Sequence, residues 1–110
     1  MATVYKVLGQ SAPANTSNAN LYTVPASTSA IVSTLVIANT TATAATARVF
    51  ARIAAAAAAA SNAVVYDASI AANSTATFTL GMTFATTDII TVQTGTSNAL
   101  TFTAFGSEIS

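Results

Sequence analysis

The stretch Thr75-Ala76-Thr77-Phe78-Thr79-Leu80 alternates a polar β-branched residue with an apolar one over six positions. A period of two is the mark of a strand with one face on a core and the other in water. Ala76, Phe78 and Leu80 share one face; Thr75, Thr77 and Thr79 share the other, where threonine is well suited to an exposed strand. The pattern returns near the end of the chain, where Leu100, Phe102 and Ala104 lie opposite Thr101, Thr103 and Phe105. By contrast Ala30-Ile31-Val32-Ser33-Thr34-Leu35-Val36-Ile37 is apolar at nearly every position. Such a strand should be central, or covered on its second face by something else.

Working outward, short β-prone runs recur about every dozen residues: 4–10, 21–24, 30–39, 46–53, 64–70, 75–81, 89–94 and 100–105. Turn-forming Pro, Asn, Ser and Gly residues separate most of them. The expected fold is all-β: a single β-sandwich, Ig-like or jelly-roll-like, of about eight short antiparallel strands spanning residues 1–110. The alanine tract 54–60 is the one place a helix competes, because Ala is the best helix former. Isolated helices shorter than about 12–15 residues are marginal in water. A loop or short helical turn between strands is therefore expected there.

The composition removes most chemistry. There is no His, Cys or Trp, and the charged side chains are Lys6, Arg48, Arg52, Asp67, Asp88 and Glu108. Triads, thiol–imidazole pairs and zinc sites lack their residues. The three carboxylates lie outside any ligand-dense loop, and are expected to be surface or turn groups or partners of Arg48 or Arg52. Lys6 reads as a strand-end solvent contact. Gly9, Gly81, Gly95 and Gly106 are isolated, which suits bulges or positive-φ turns and cannot cradle a phosphate. The Asn-x-Ser/Thr patterns at Asn15, Asn39 and Asn73 read as turns. No catalytic residue, cofactor, metal or small-molecule substrate is expected.

A net charge of zero offers no basic footprint for nucleic acid. The start, Met1-Ala2-Thr3-Val4-Tyr5-Lys6, reads without a signal peptide. No apolar run approaches the ~20 residues of a membrane-spanning helix, so no membrane partner is expected. With charged residues at 5% against hydrophobic residues at 53%, little repulsion keeps copies apart. Much of the surface is expected to be covered by neighbours in an assembly.

Particular segments carry a resemblance. Tyr5-Lys6-Val7-Leu8-Gly9-Gln10-Ser11-Ala12-Pro13, Leu21-Tyr22-Thr23-Val24-Pro25 and Phe105-Gly106-Ser107-Glu108-Ile109, with Tyr66-Asp67 and Thr87-Asp88 between them, resemble a family of small virion structural proteins. That family occurs in tailed bacteriophages, notably those of marine and freshwater cyanobacteria. The chain departs from it in the tract 54–60, where relatives carry polar residues, and in its poverty of charge. The resemblance implies a part of the phage particle. A decoration (cement) protein on the capsid surface, often a trimer, would bridge the major capsid protein and copies of itself. The alternatives are a tail, neck or fibre component, and a fimbrial or adhesin subunit.

In any of these roles contacts should fall on the termini and the alanine tract. The candidate interface residues are Val4, Tyr5, Lys6, Val7, Ala54, Ala57, Ala60 and Phe105. The strand 4–10 can offer backbone groups to a neighbour's sheet, and small alanines permit close approach. Tyr5, Tyr22 and Phe105 are candidate aromatic anchors, with core packing the competing role for each.

Overall fold

The strand-like runs of the sequence pair almost wholly between distant parts of the chain. A computed structural model describes residues 2–79 and 81–110. It contains β1 (Thr3–Ser11), β2 (Ala19–Thr23), β3 (Ser29–Asn39), β4 (Ala45–Arg52), β5 (Ala63–Ile70), β6 (Thr75–Phe78), β7 (Met82–Phe84), β8 (Ile89–Thr94) and β9 (Leu100–Ile109). One sheet has the order β1-β9-β3-β6, with β7 also on β3; the other has the order β2-β8-β4-β5. Every pairing is antiparallel.

Because β6 and β7 both lie along β3, they form two halves of one interrupted strand. Eight strands then run 1-8-3-6 in one sheet and 2-7-4-5 in the other. Of the connections, β4 to β5 joins neighbours within a sheet, and the rest cross between sheets or bridge the break between β6 and β7. This is the double Greek key of a jelly roll. An immunoglobulin-type sandwich would instead pair strands close in sequence. The β-sandwich is as expected, and its strand order selects the jelly roll.

Between the sheets lies a core whose largest fully buried side chains include Phe102, Leu35, Ile37, Ile70 and Ile90. The periodicities hold. Leu100, Phe102 and Ala104 point inward, while Ala76 and Phe78 pack on the core and Thr75 and Thr77 face solvent. Leu80 lies outside the described residues. β3 is central, as its apolar run required.

The boundaries differ in two places. The expected strand 75–81 stops at Phe78, turns through Gly81 at a φ of +59°, and resumes as β7. The last strand continues past Phe105 to Ile109. Both changes belong to a crease across the first sheet. β1 carries one extra residue, Leu8, between Val7 and Gly9, opposite Phe105 and Ala104. β3 carries one, Ser33, opposite Gly106 and Phe105. The break between β6 and β7 falls at the same level, since Phe78 pairs with Leu35 and Met82 with Val32. Ser33 also moves the inward positions of β3 from Ala30 and Val32 to Leu35, Ile37 and Asn39.

Candidate interaction surface

Beyond the crease, residues 3–7 of β1 project with both faces exposed. They pair with β9 from Thr3↔Ile109 to Val7↔Phe105, and among the described residues no strand pairs with their outer edge. Farther along, β1 lies so close to β2 that a Cβ on Gly9 would run into the Leu21 carbonyl. The face of β1 is thus covered by β2 only across the crease from residues 3–7.

On the outer face of this arm Tyr5 is 83% exposed, Val7 50% and Phe105 39%. Together with Ile31, Ser33 and Ile109 they line a shallow, mostly apolar groove. It carries no chemistry. What it offers is aromatic anchoring beside a row of unpaired backbone donors and acceptors, the requirements for strand addition.

The opposite face of the arm is tied to the second sheet. Lys6 Nζ lies 2.8 Å from Glu108 Oε1, and the Tyr22 hydroxyl donates to Glu108 Oε2 at 2.5 Å. Lys6 is therefore ion-paired as well as in the solvent contact expected of it, with 46% of its side chain exposed. Tyr22, at 8% exposure, is a core residue with a polar tip, which removes it from the candidate anchors. Desolvation, then the bond to Glu108, pushes the Tyr22 hydroxyl above its usual range. Hydrogen bonds from Lys6 and then Tyr22 hold Glu108 below its ordinary value of 4.5.

A carboxylate with a lowered folded-state pKa stabilises fully above its unfolded value, and that contribution is lost as pH falls through the folded one. Thermal stability should therefore decline as pH drops below about 4.5. Glu108→Gln should remove on the order of 1 kcal/mol of this acid dependence, a modest figure because Lys6 is half exposed. Melting curves across the acid range check this, and identical acid slopes in both proteins would refute it. Asp67, whose pKa is also lowered, by a bidentate bond from Arg48, supplies acid dependence common to both proteins.

The alanine tract forms the β4–β5 hairpin loop, with a turn at Ile53–Ala55 in which Ala54 and Ala55 take φ of +52° and +60°, a 3-10 turn at Ala60–Asn62, and extended backbone at Ala59. The sequence leads to a loop or a short helical turn here, and the tract is a loop that carries one. Arg52 anchors it: Nε and Nη2 donate to the carbonyls of Ala56 and Ala55, and Nη1 donates to Asn20 and Thr91. Asn62 closes its far end, accepting from the Ala59 amide and donating to the Ala57 carbonyl. Phe50 alternates to the outer side of its sheet, yet is 4% exposed and stands apart from the main core. The turn Ala60–Asn62 packs against its strand.

Ala54, Ala57 and Ala60 remain exposed, as does Ile53. Asp88 joins this loop to the end of the sandwich where β1 begins. Its carboxylate accepts from the amides of Ala54 and Ala85, and it lines a depression with Ser29 and Ile109. The carboxylates thus have separate partners: Arg48 for Asp67, backbone amides for Asp88, and Lys6 with Tyr22 for Glu108.

The candidate residues fall into two groups at this end of the molecule. Val4, Tyr5, Lys6, Val7 and Phe105 adjoin one another on the arm, with Lys6 paired to Glu108 on the face opposite Tyr5. Ala54, Ala57 and Ala60 lie on the hairpin loop of the other sheet. Sequence reasoning passed over Ile31 and Ile109. Ile31 sits in a run that is apolar on both faces, and Ile109 lies beyond the expected end of the last strand. Among the described residues no helix is long and apolar enough to cross a membrane.

No protein-family model matches the chain, and no curated protein matches its sequence. Among solved structures, its fold is similar to that of a chain in the structure of infectious bursal disease virus, Gx strain. The TM-score is 0.53 at 15% identity, over 97% of this chain and 31% of the viral one. The protein thus spans about a third of the length of that chain, and at this identity the likeness is one of fold.

Proposed function

We propose that the protein is a structural subunit of a virus particle, and specifically a capsid decoration protein of a tailed bacteriophage that bridges copies of the major capsid protein. The observation that carries the reading is the jelly-roll strand order, found over nearly the whole chain and shared in fold with a chain of a virus structure. An exposed apolar arm beside an open strand edge, on a molecule of zero net charge, supports it. The role is non-catalytic: binding rests on buried area and backbone pairing, multiplied by copy number. A particle location at the capsid surface follows from the same reading.

Quantitative mass spectrometry of purified particles tests it. Several hundred copies per particle are expected, together with filled heads that lose integrity on mild heating or in low salt when the protein is absent. A handful to a few dozen copies would assign it to the tail, neck or fibre. Abundance on phage-free cells would sink the virion reading in favour of an adhesin. Equally robust heads without it would sink the cementing role.

A further inference from the structure

The arm formed by residues 3–7 of β1 meets several conditions for pairing with itself. Thr3-Val4-Tyr5-Lys6-Val7 is a run of strand formers without Gly or Pro. Exposed edges of this kind are commonly guarded by a lysine or a proline. Here the lysine is drawn back toward β9 by its ion pair with Glu108, so its charge is neutralised within the molecule. Apart from Lys6 at its rim, the residues lining the outer-face groove, among them Tyr5, Val7, Ile31, Phe105 and Ile109, are uncharged. We infer that this edge pairs antiparallel with the same edge of a second copy, across a two-fold axis at Tyr5, joining the two β1-containing sheets into one.

The register follows from alternation and charge. Directly opposed residues of an antiparallel pair point to the same side, so the axis must pass through a residue position to keep like faces together. Centring on Lys6 would set two lysines against each other, which is destabilising. Centring on Val4 would shorten the ladder and leave Val7 beyond its end. Centring on Tyr5 pairs all five residues: Tyr5 with the second copy's Tyr5, Val7 with Thr3, and Lys6 with Val4. The outer face would then carry a Tyr–Tyr pair at its middle, flanked by Val7 and Phe105 of each copy.

The contact is small. Burial of one tyrosine, two valines and part of Phe105 amounts to a few hundred Å² per copy, below the ~800 Å² per partner of a stable standard interface. Association should therefore be weak in free solution and become effective where an assembly holds many copies close together. The inference rests on the reading of the protein as an assembly subunit, and names the partner of one of its surfaces as a second copy of this chain.

The absence of cysteine permits a clean test by disulfide trapping of the purified protein. Under mild oxidation Tyr5→Cys should form a homodimer at least about tenfold faster than Thr77→Cys, an exposed control across the crease. Thr3→Cys and Val7→Cys should each cross-link poorly alone and efficiently when mixed. Sedimentation at rising concentration should show reversible dimerisation of the native chain, weakened about tenfold or more by Tyr5→Lys, with an unchanged circular dichroism spectrum. These positions are exposed, so the variants should fold.

Cross-linking of Tyr5→Cys no faster than the control would overturn the inference. So would a monomer at all concentrations, or cross-linking of the residue-5 thiol in particles to a different protein alone. Trapped dimers from a protein absent from particles would instead refute the virion reading and leave the pairing intact.

Discussion

Replacing Gly106 with alanine is expected to destabilise the fold by about 3 kcal/mol or more, a large part of the ~5–15 kcal/mol of a typical domain. Gly106 lies within β9 opposite Val32, where Ser33 bulges out of β3. A Cβ there would run into the Ile31 carbonyl and crowd the Val32 Cα. These are backbone atoms of the central strand, and they cannot move without breaking the ladder that β3 forms with β7 and β9. Gly95→Ala is the control. Its Cβ would meet the Thr46 hydroxyl, a side chain free to rotate, and the cost should be under about 1 kcal/mol. Denaturant unfolding of both variants decides the matter. Equal midpoints would mean that the crease tolerates a side chain and that its glycine is incidental.

The same crease divides what could be read in the sequence from what could not. Strand positions were legible wherever alternation was clean, as in Thr75–Phe78 and across Leu100, Phe102 and Ala104. Phe105 shares a face with Thr101 and Thr103, yet the sequence left it between core and interface; in the structure it is 39% exposed. The extension of β9 to Ile109 was not legible. Gly106 in isolation reads as a bulge or a positive-φ turn, and its role as a point of close backbone approach depends on a bulge in a strand some seventy residues earlier. Ile31 was hidden by Ser33, which changes the phase of an already apolar run. The choice between sandwich topologies rested on pairings such as β1 with β9, and local propensity carries no record of them. Tyr22 could not be assigned because an aromatic with a polar tip serves a core and an interface equally well. Its partner, Glu108, is 86 residues away.

Asn39 should prove as sensitive as the crease, at the opposite end of the molecule. It begins an Asn-Thr-Thr pattern that reads as a turn, yet its side chain is 3% exposed and makes four hydrogen bonds. Nδ2 donates to the carbonyls of Thr43 and Ile70 at 2.9 and 3.1 Å, while Oδ1 accepts from the amide and hydroxyl of Thr41 at 2.9 and 2.7 Å. Backbone bonds continue the clamp, from Asn39 to Ser74, Thr40 to Ala99 and Asn73 to Thr41, so three loops are held together around Asn39 and its two neighbours. Asn39→Ala would strand the buried Ile70 carbonyl and leave the Thr41 amide without its acceptor, at an expected cost of about 3 kcal/mol. In a chain of this size that lowers the melting temperature by roughly 10–20 °C. Asn39→Asp keeps the shape and the bonds from Thr41 but sets a carboxylate against two carbonyl oxygens. It should be at least as damaging at neutral pH and partly rescued in acid, where a protonated carboxyl can again donate. Calorimetry of both variants at two pH values separates a lost donor from a lost volume. If the aspartate variant melts with the native protein at pH 7, the clamp contributes nothing, and the loops at this end are held by their backbone bonds alone.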